Sequence, residues 1–368
     1  MQDSLFDDPD PDLPPSPALP QAAPPKVAAT PRAARPATQV LAAEVDGLAH
    51  QVAASLPERL HIGSSSWHFP GWAGLVWDGD YDKTMLSKHG LPAYARHPVL
   101  NAVGIDRTFY RPLTASQFAR YAAQVPDDFR FIVKAPSLIA DAVVRDENGR
   151  GMQANPTFLD PILAVQQFVQ PALDGLGHKL GALVFQLSPL PGPMLARMPA
   201  VLEQLRTMLR ALPALAPVAP DGVIAVEVRN PDFLVPEFVD VLRDAGATYC
   251  LGLHPKLPPI DQQLPLLRAL WPGPLVCRWN LNRLHGAYGY EDARELYLPF
   301  DKVIDPDPDT RATLARVIVG TARAGHHAYV TVSNKAEGSA PLTVLALAQE
   351  VNHLKEASAP SLRLRNHR

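Results

Sequence analysis

Glu227 and Arg229 stand two residues apart in the β-rich run VIAVEVR, so in a strand both side chains point to one side, opposite Val226 and Val228. A guanidinium beside a carboxylate holds it ionised and oriented. That suits Glu227 to general-base work or metal ligation, and equally to a structural ion pair. Lys134 closes the apolar run FRFIVKA and is followed by Pro136, which ends the strand. A lysine so placed holds an anion or, once desolvated, acts as a base or an imine-forming nucleophile. The plainer alternative is an ion pair with Glu227. Asp106, at the end of LNAVGID, offers an acid, and Arg107 or Arg111 beyond it offers a fork of hydrogen bonds to a phosphate or carboxylate. Tyr110 lies in the same Thr-Phe-Tyr-Arg-Pro stretch.

Ser64 and Ser66, Gln186, His254, Arg278, Asn280 and Asn334 each fall at the carboxyl end of another such run. Polar groups on buried strands need partners, since each one left unpaired costs roughly 1–3 kcal/mol. A ring of them at one end therefore reads as a site. Trp67, His68 and Trp72 suit either an aromatic pocket wall or a lid packed on a rim. Asn334 to Ser339 suits either a phosphate-binding loop charged by Lys335 or an ordinary capped loop. The twelve histidines show no metal-ligand spacing, and Cys250 and Cys277 read as buried thiols, so no metal site is expected. There is no Walker loop, dinucleotide fingerprint or Gly-x-Ser-x-Gly elbow, so no cofactor is named.

The elements that would position these groups follow from periodicity. Eight β-rich runs recur: RLHIGSS, LNAVGID, FRFIVKA, GALVFQL, VIAVEVR, TYCLGL, LVCRWN and AYVTVSN. Between them lie helical segments at 83–97, 115–124, 157–173, 194–211, 236–245, 262–270, 310–324 and 341–355. Strand and helix in alternation predict a parallel sheet of the α/β class. Eight such units favour a closed (β/α)₈ TIM-type barrel over an open sheet, which would need edge strands more polar than any of these runs.

The motifs Ile62-Gly63-Ser64-Ser65-Ser66-Trp67, Asp106-Arg107-Thr108-Phe109-Tyr110-Arg111-Pro112, Lys134-Ala135-Pro136, Phe185-Gln186-Leu187, Glu227-Val228-Arg229 and Asn334 through Gly338 occur in this order. Together they resemble the YecE-like family, a domain of unknown function. The resemblance spans nearly the whole globular part; it implies a (β/α)₈ barrel and names no reaction. Three departures mark a divergent branch with a retuned pocket. A carboxylate usual at the position of Gly104 is lost and one appears at Asp106. The family's Arg-x-His-Gly becomes Arg278-Trp279-Asn280-Leu281, and its Asn-Asn pair becomes Asn334-Lys335.

Composition bounds the rest. A hydrophobic fraction of 47% over 368 residues can fill a real core, and a net charge of -3 argues against coating nucleic acid by bulk electrostatics. Two cysteines exclude a disulfide framework. No run approaches the about 18 uninterrupted apolar residues of a membrane span, and the acidic start MQDSLFDDPDPD is unlike a signal peptide, so a cytoplasmic protein is expected. Prolines crowd residues 9–36, which predicts a disordered arm over 1–56 with a short helix near 40–54, then the barrel over 57–357 and a basic tail over 358–368. Gln2-Asp3-Ser4-Leu5-Phe6 is similar to the short peptides by which bacterial DNA-processing proteins dock on the sliding clamp.

Two functional expectations follow. The first is an enzyme acting on an anionic, phosphorylated or carboxylated, small molecule by acid–base chemistry at the barrel mouth. Lys134, Glu227 and Asp106 would be catalytic; Ser64, Trp67, Arg107, Tyr110, Gln186, Arg229, Arg278, Asn280, Asn334 and Lys335 would bind substrate. The alternative is a clamp-tethered DNA-maintenance protein docking through Gln2, Leu5 and Phe6, with Arg363, Arg365, His367 and Arg368 as a basic end.

Overall fold

The computed structural model describes residues 39–146 and 151–357. The peptide Gln2–Phe6, the body of the proline-rich arm and the basic tail lie outside the described residues. Eight parallel strands close a barrel in sequential order. They are β1 (Leu60–Ser64), β2 (Ala102–Ile105), β3 (Arg130–Lys134), β4 (Leu180–Gln186), β5 (Val223–Glu227), β6 (Thr248–Leu253), β7 (Leu275–Trp279) and β8 (Ala328–Val332). Each of the eight predicted runs contributes one. β1 is secured unevenly: all five of its residues pair with β8, from Leu60↔Ala328 to Ser64↔Val332, whereas only Gly63 and Ser64 pair with β2.

Strand parity sorts the side chains into an outer apolar shell under the helices and a small inner core of Ala102, Ile132, Ala182, Val184, Ala225, Cys250, Val276 and Tyr329. Small residues dominate the inner set, because eight strands leave an interior only wide enough for side chains. Lys134, Glu227 and Arg278 share their strands' inward parity with Ile132, Ala225 and Val276, so they form the next layer toward the mouth.

The helices start where local chemistry dictates. Asp82, Asp160 and Asp307 accept the backbone N–H of Met85, Leu163 and Thr310, and Thr114 with Gln117 forms a capping box. The segment expected as one helix over 83–97 is two, Lys83–His89 and Leu91–Tyr94, broken at Gly90 before Pro92. The helix expected from 157 starts at Pro161, because Asp160 caps it there. The elements that went unread include the exposed antiparallel strand pair Val143–Arg145 and Gly151–Ala154, the helical turn Ser137–Ala140 after β3 and the short helix Tyr290–Tyr297 after β7. Ahead of β1, the helix Gly47–Ser55 lies on the last helix, Ala340–Ala357, through Asn352 Nδ2 donating to Val52 O and Lys355 Nζ to Ser55 O, both at 2.8 Å. Ala42 bridges to Trp77 in the loop after β1. No helix among the described residues is long and apolar enough to cross a membrane.

Candidate functional site

The carboxyl ends of β2, β3, β4, β5 and β7 bring one charged cluster together. Glu227, fully buried, is its hub. Arg229 Nη1 donates to Glu227 Oε1, Arg278 Nη1 donates to Oε2 at 2.7 Å, and Asn280 Nδ2 donates to Oε1 at 3.0 Å. Gln186 Oε1 accepts from Arg229 Nη2 at 3.1 Å and Arg278 Nη1 at 2.8 Å, clamping the two guanidiniums side by side. Arg278 spends its other terminal nitrogen, Nη2, on Asp106 Oδ2. Space for the two guanidiniums comes from β6. A Cβ added at Gly252, which pairs with Arg278, would stand 3.2 Å from Glu227 Oε1 and 3.3 Å from Arg229 Nη1.

Electrostatics divide the roles. Burial alone would raise the Glu227 carboxyl, but Arg229 and Arg278 more than offset it and hold it at about 2. A carboxylate so held is a weak base, and its contacts suit it to anchoring the two guanidiniums. Arg278 is buried too, yet Asp106 and Glu227 keep it firmly charged. Lys134 differs. Its burial drives the amine well below the ordinary lysine range; Asp106 pulls the other way, while Arg278 and Arg229 add to the fall. The amine lies 3.7 Å from the centroid of the Phe109 ring. The backbone holding Phe109 is pinned by Thr108, whose hydroxyl donates to Ile105 O at 2.8 Å and to Lys134 O.

The arrangement makes Lys134 costly to the fold. Its amine is 1% exposed, and taking it out of water costs the folded state. Lys134→Met, an unbranched side chain of similar volume, is expected to raise unfolding stability by about 1–3 kcal/mol, the cost of burying a polar group. Urea denaturation checks this; a loss of stability would show that the amine is a structural tie.

Not every expected residue joins the cluster. Ser64 donates to Ser66 O at 2.6 Å and sits 2.8 Å from the Tyr94 hydroxyl, so its polarity is spent locally. Trp67 packs edge-on to Tyr121 at 5.3 Å, and Arg107 Nη1 donates to the Tyr121 hydroxyl at 2.8 Å. Tyr110 is half exposed on the rim. Asn334 Oδ1 accepts from Trp72 Nε1 at 3.1 Å and from Ala340 N at 2.8 Å, tying the loop after β1 to the start of the last helix. Trp72 itself is buried, tilted against Phe69 and Tyr94, so the aromatic group is a packed lid and not an open wall. Lys335 stands 4.0 Å from the Tyr290 ring centroid and is nearly buried along with the whole 334–339 loop. That enclosure leaves no open phosphate cradle after β8.

Two contributors went unnoticed in the sequence. Phe109 follows Asp106 by three in a 3₁₀ turn, the period that returns a side chain over the strand end. Gly252 looked like an ordinary strand glycine; only its register with Arg278 shows its use. His254, beyond β6, is buried; its Nδ1 accepts from Lys256 N at 3.0 Å, so Nε2 carries the proton. Among the described residues, no three His, Cys, Asp or Glu side chains gather where they could hold a metal ion.

The profile of a family described as "Protein of unknown function DUF72" matches residues 61–364. This chain belongs to the DUF72 family. No curated protein matches it. Among solved structures, a DUF72 family protein of Enterococcus faecalis V583 is 17% identical, with 80% of this chain and 95% of that one covered at a TM-score of 0.51. One from Thermotoga maritima MSB8 is 18% identical, covering 79% and 98% at a TM-score of 0.49. The Enterococcus likeness extends to the fold alone. Within this DUF72 chain Asp106 supplies the carboxylate that Arg278 grips, and a Cβ at Gly104 would stand 2.7 Å from Ser65 O.

Proposed function

We propose that the mouth of this DUF72 barrel binds an anionic small molecule and transforms it by acid–base chemistry. One observation carries the reading: β3, β5 and β7 deliver Lys134, Arg229 and Arg278 to one buried cluster, against only Glu227 and Asp106. Arg278 is the recognition group, because its Nη2 faces Asp106, whose side chain is 32% exposed, on the solvent side of the cluster. Lys134 and Asp106 are the proton carriers, and Glu227 fixes both guanidiniums. The enclosed 334–339 loop and the caged Lys335 favour a carboxylated ligand over a phosphorylated one. A cation-rich mouth also favours a small-molecule reaction over nucleic-acid cleavage at a carboxylate cluster.

Calorimetric titration with a panel of carboxylated and phosphorylated metabolites tests this. Arg278→Lys keeps the charge and removes the planar fork, so the best ligand is expected to bind at least about tenfold more weakly, in line with about 1.5–3 kcal/mol for a hydrogen bond to a charged group. Unchanged affinity in a folded variant would remove Arg278 from the binding site and overturn the assignment.

A further inference from the structure

We propose that Lys134 forms an imine with a 2-oxo carboxylic acid whose carboxylate takes the place of Asp106 on Arg278. The inference rests on the anion-binding reading above and names its substrate class and its covalent step.

The geometry of exchange is already present. Asp106 touches Arg278 with one carboxylate oxygen, and it directly follows Ile105, whose partner across the ladder, Val133, directly precedes Lys134. One carboxylate position therefore faces both groups. A ligand carboxylate seated there puts the carbon bonded to it beside the Lys134 amine. A carbonyl on that adjacent carbon is the group an amine attacks, which selects 2-oxo acids. Like is exchanged for like, so the charge of the cluster is conserved as the ligand enters. The exchange also opens the route: Lys134 is 1% exposed and Arg278 3%, whereas the Asp106 side chain is the solvent edge of the cluster. Only its side chain has to swing, since Thr108 ties the Asp106 loop to the ends of β2 and β3.

The environment supplies the reactive form. An amine attacks only when neutral, and burial beside two guanidiniums disfavours the ammonium. The Nζ lone pair forms the N–C bond to the oxo carbon, and the carbonyl oxygen becomes a hydroxyl. The C–O bond then breaks, and that oxygen leaves as water with the two hydrogens the amine gives up. The displaced Asp106 carboxylate relays those protons. No oxidant or reductant enters. Phe109, covering the amine, excludes the bulk water that would hydrolyse the imine.

The test incubates the full-length protein with pyruvate, phenylpyruvate or 2-oxoglutarate and sodium borohydride, then reads intact mass and the labelled peptide. The expected result is one reduced adduct, mapped to Lys134, formed at least about tenfold faster than with acetone, which has no carboxylate to seat on Arg278. Lys134→Met and Lys134→Arg should abolish it while melting cooperatively. Absence of an adduct with all three acids overturns the imine, as does an adduct that survives both variants. Calorimetry of the same acids without borohydride separates the two readings: binding without an adduct leaves the anion site standing and removes the imine alone. If these acids do not bind and phosphorylated compounds do, the substrate class is wrong.

Discussion

Glu227→Ala should destabilise the protein by about 3–5 kcal/mol, the range observed when one partner of a buried ion pair is removed and the other charge stays behind. Here the consequence is doubled, because both Arg229 and Arg278 lean on the same carboxylate and both are nearly inaccessible to water. Asn280 would lose its acceptor as well. The loss should appear in urea denaturation as a lower midpoint with an unchanged slope. A change below about 1 kcal/mol would mean that solvent reaches the guanidiniums and that the cluster is surface-like. Set beside Lys134→Met, the contrast is diagnostic. Opposite signs in the two variants would separate a residue that holds the fold together from one retained at the fold's expense.

Acidification should destabilise the fold steeply, by about 4 kcal/mol between pH 7 and about pH 5 from His61 and His254 alone, at about 2 kcal/mol each. Burial lowers His61 to about 3, with Arg130 and His327 adding to the fall; burial lowers His254 to about 2, helped by Arg229 and Lys256. In the unfolded chain each titrates near its ordinary 6.5. Below that value the unfolded state binds the extra protons, so stability is full above it and is lost progressively as the pH falls toward the folded values. Glu227 contributes with the same sign only below its ordinary 4.5. Chemical denaturation across this window measures the slope. Substituting His61 and His254 with glutamine should flatten it; an unchanged slope would show that other groups govern acid unfolding.

Much of the barrel was legible because buried parallel strands are short apolar runs bounded by helices, and all eight runs are strands. Boundaries failed where a local cap or breaker outranked periodicity, as at Asp160 and Gly90. The charged cluster was legible for a related reason. Strand ends converge on one mouth, so Lys134, Gln186, Glu227, Arg229, Arg278 and Asn280 meet there with Asp106. Residues in the loops beyond the strands were less readable. Ser64 turns to Tyr94, Arg107 to Tyr121 and Lys335 to Tyr290, because a loop side chain's direction depends on tertiary neighbours that spacing does not encode. The division of labour within the cluster was hidden too. Whether Glu227 carries a proton or anchors two cations depends on how many guanidiniums reach it, and one of them comes from β7.

The unequal fastening of β1 bears on the order in which the molecule is assembled. Its longer ladder is to β8, the strand synthesised last, and the helix ahead of β1 is clasped by the helix after β8. During translation, β2 to β7 can pair with neighbours as they emerge, while β1 waits with a two-residue hold on β2. Closing the ring brings together strands far apart in the sequence, the kind of contact whose loop entropy makes it slow. Asn334, delivered by that same closure, is what secures Trp72 and so the lid over the mouth. A nascent chain stopped short of β8 would thus lack more than a strand. It would also lack the tie that holds Trp72 in place after β1.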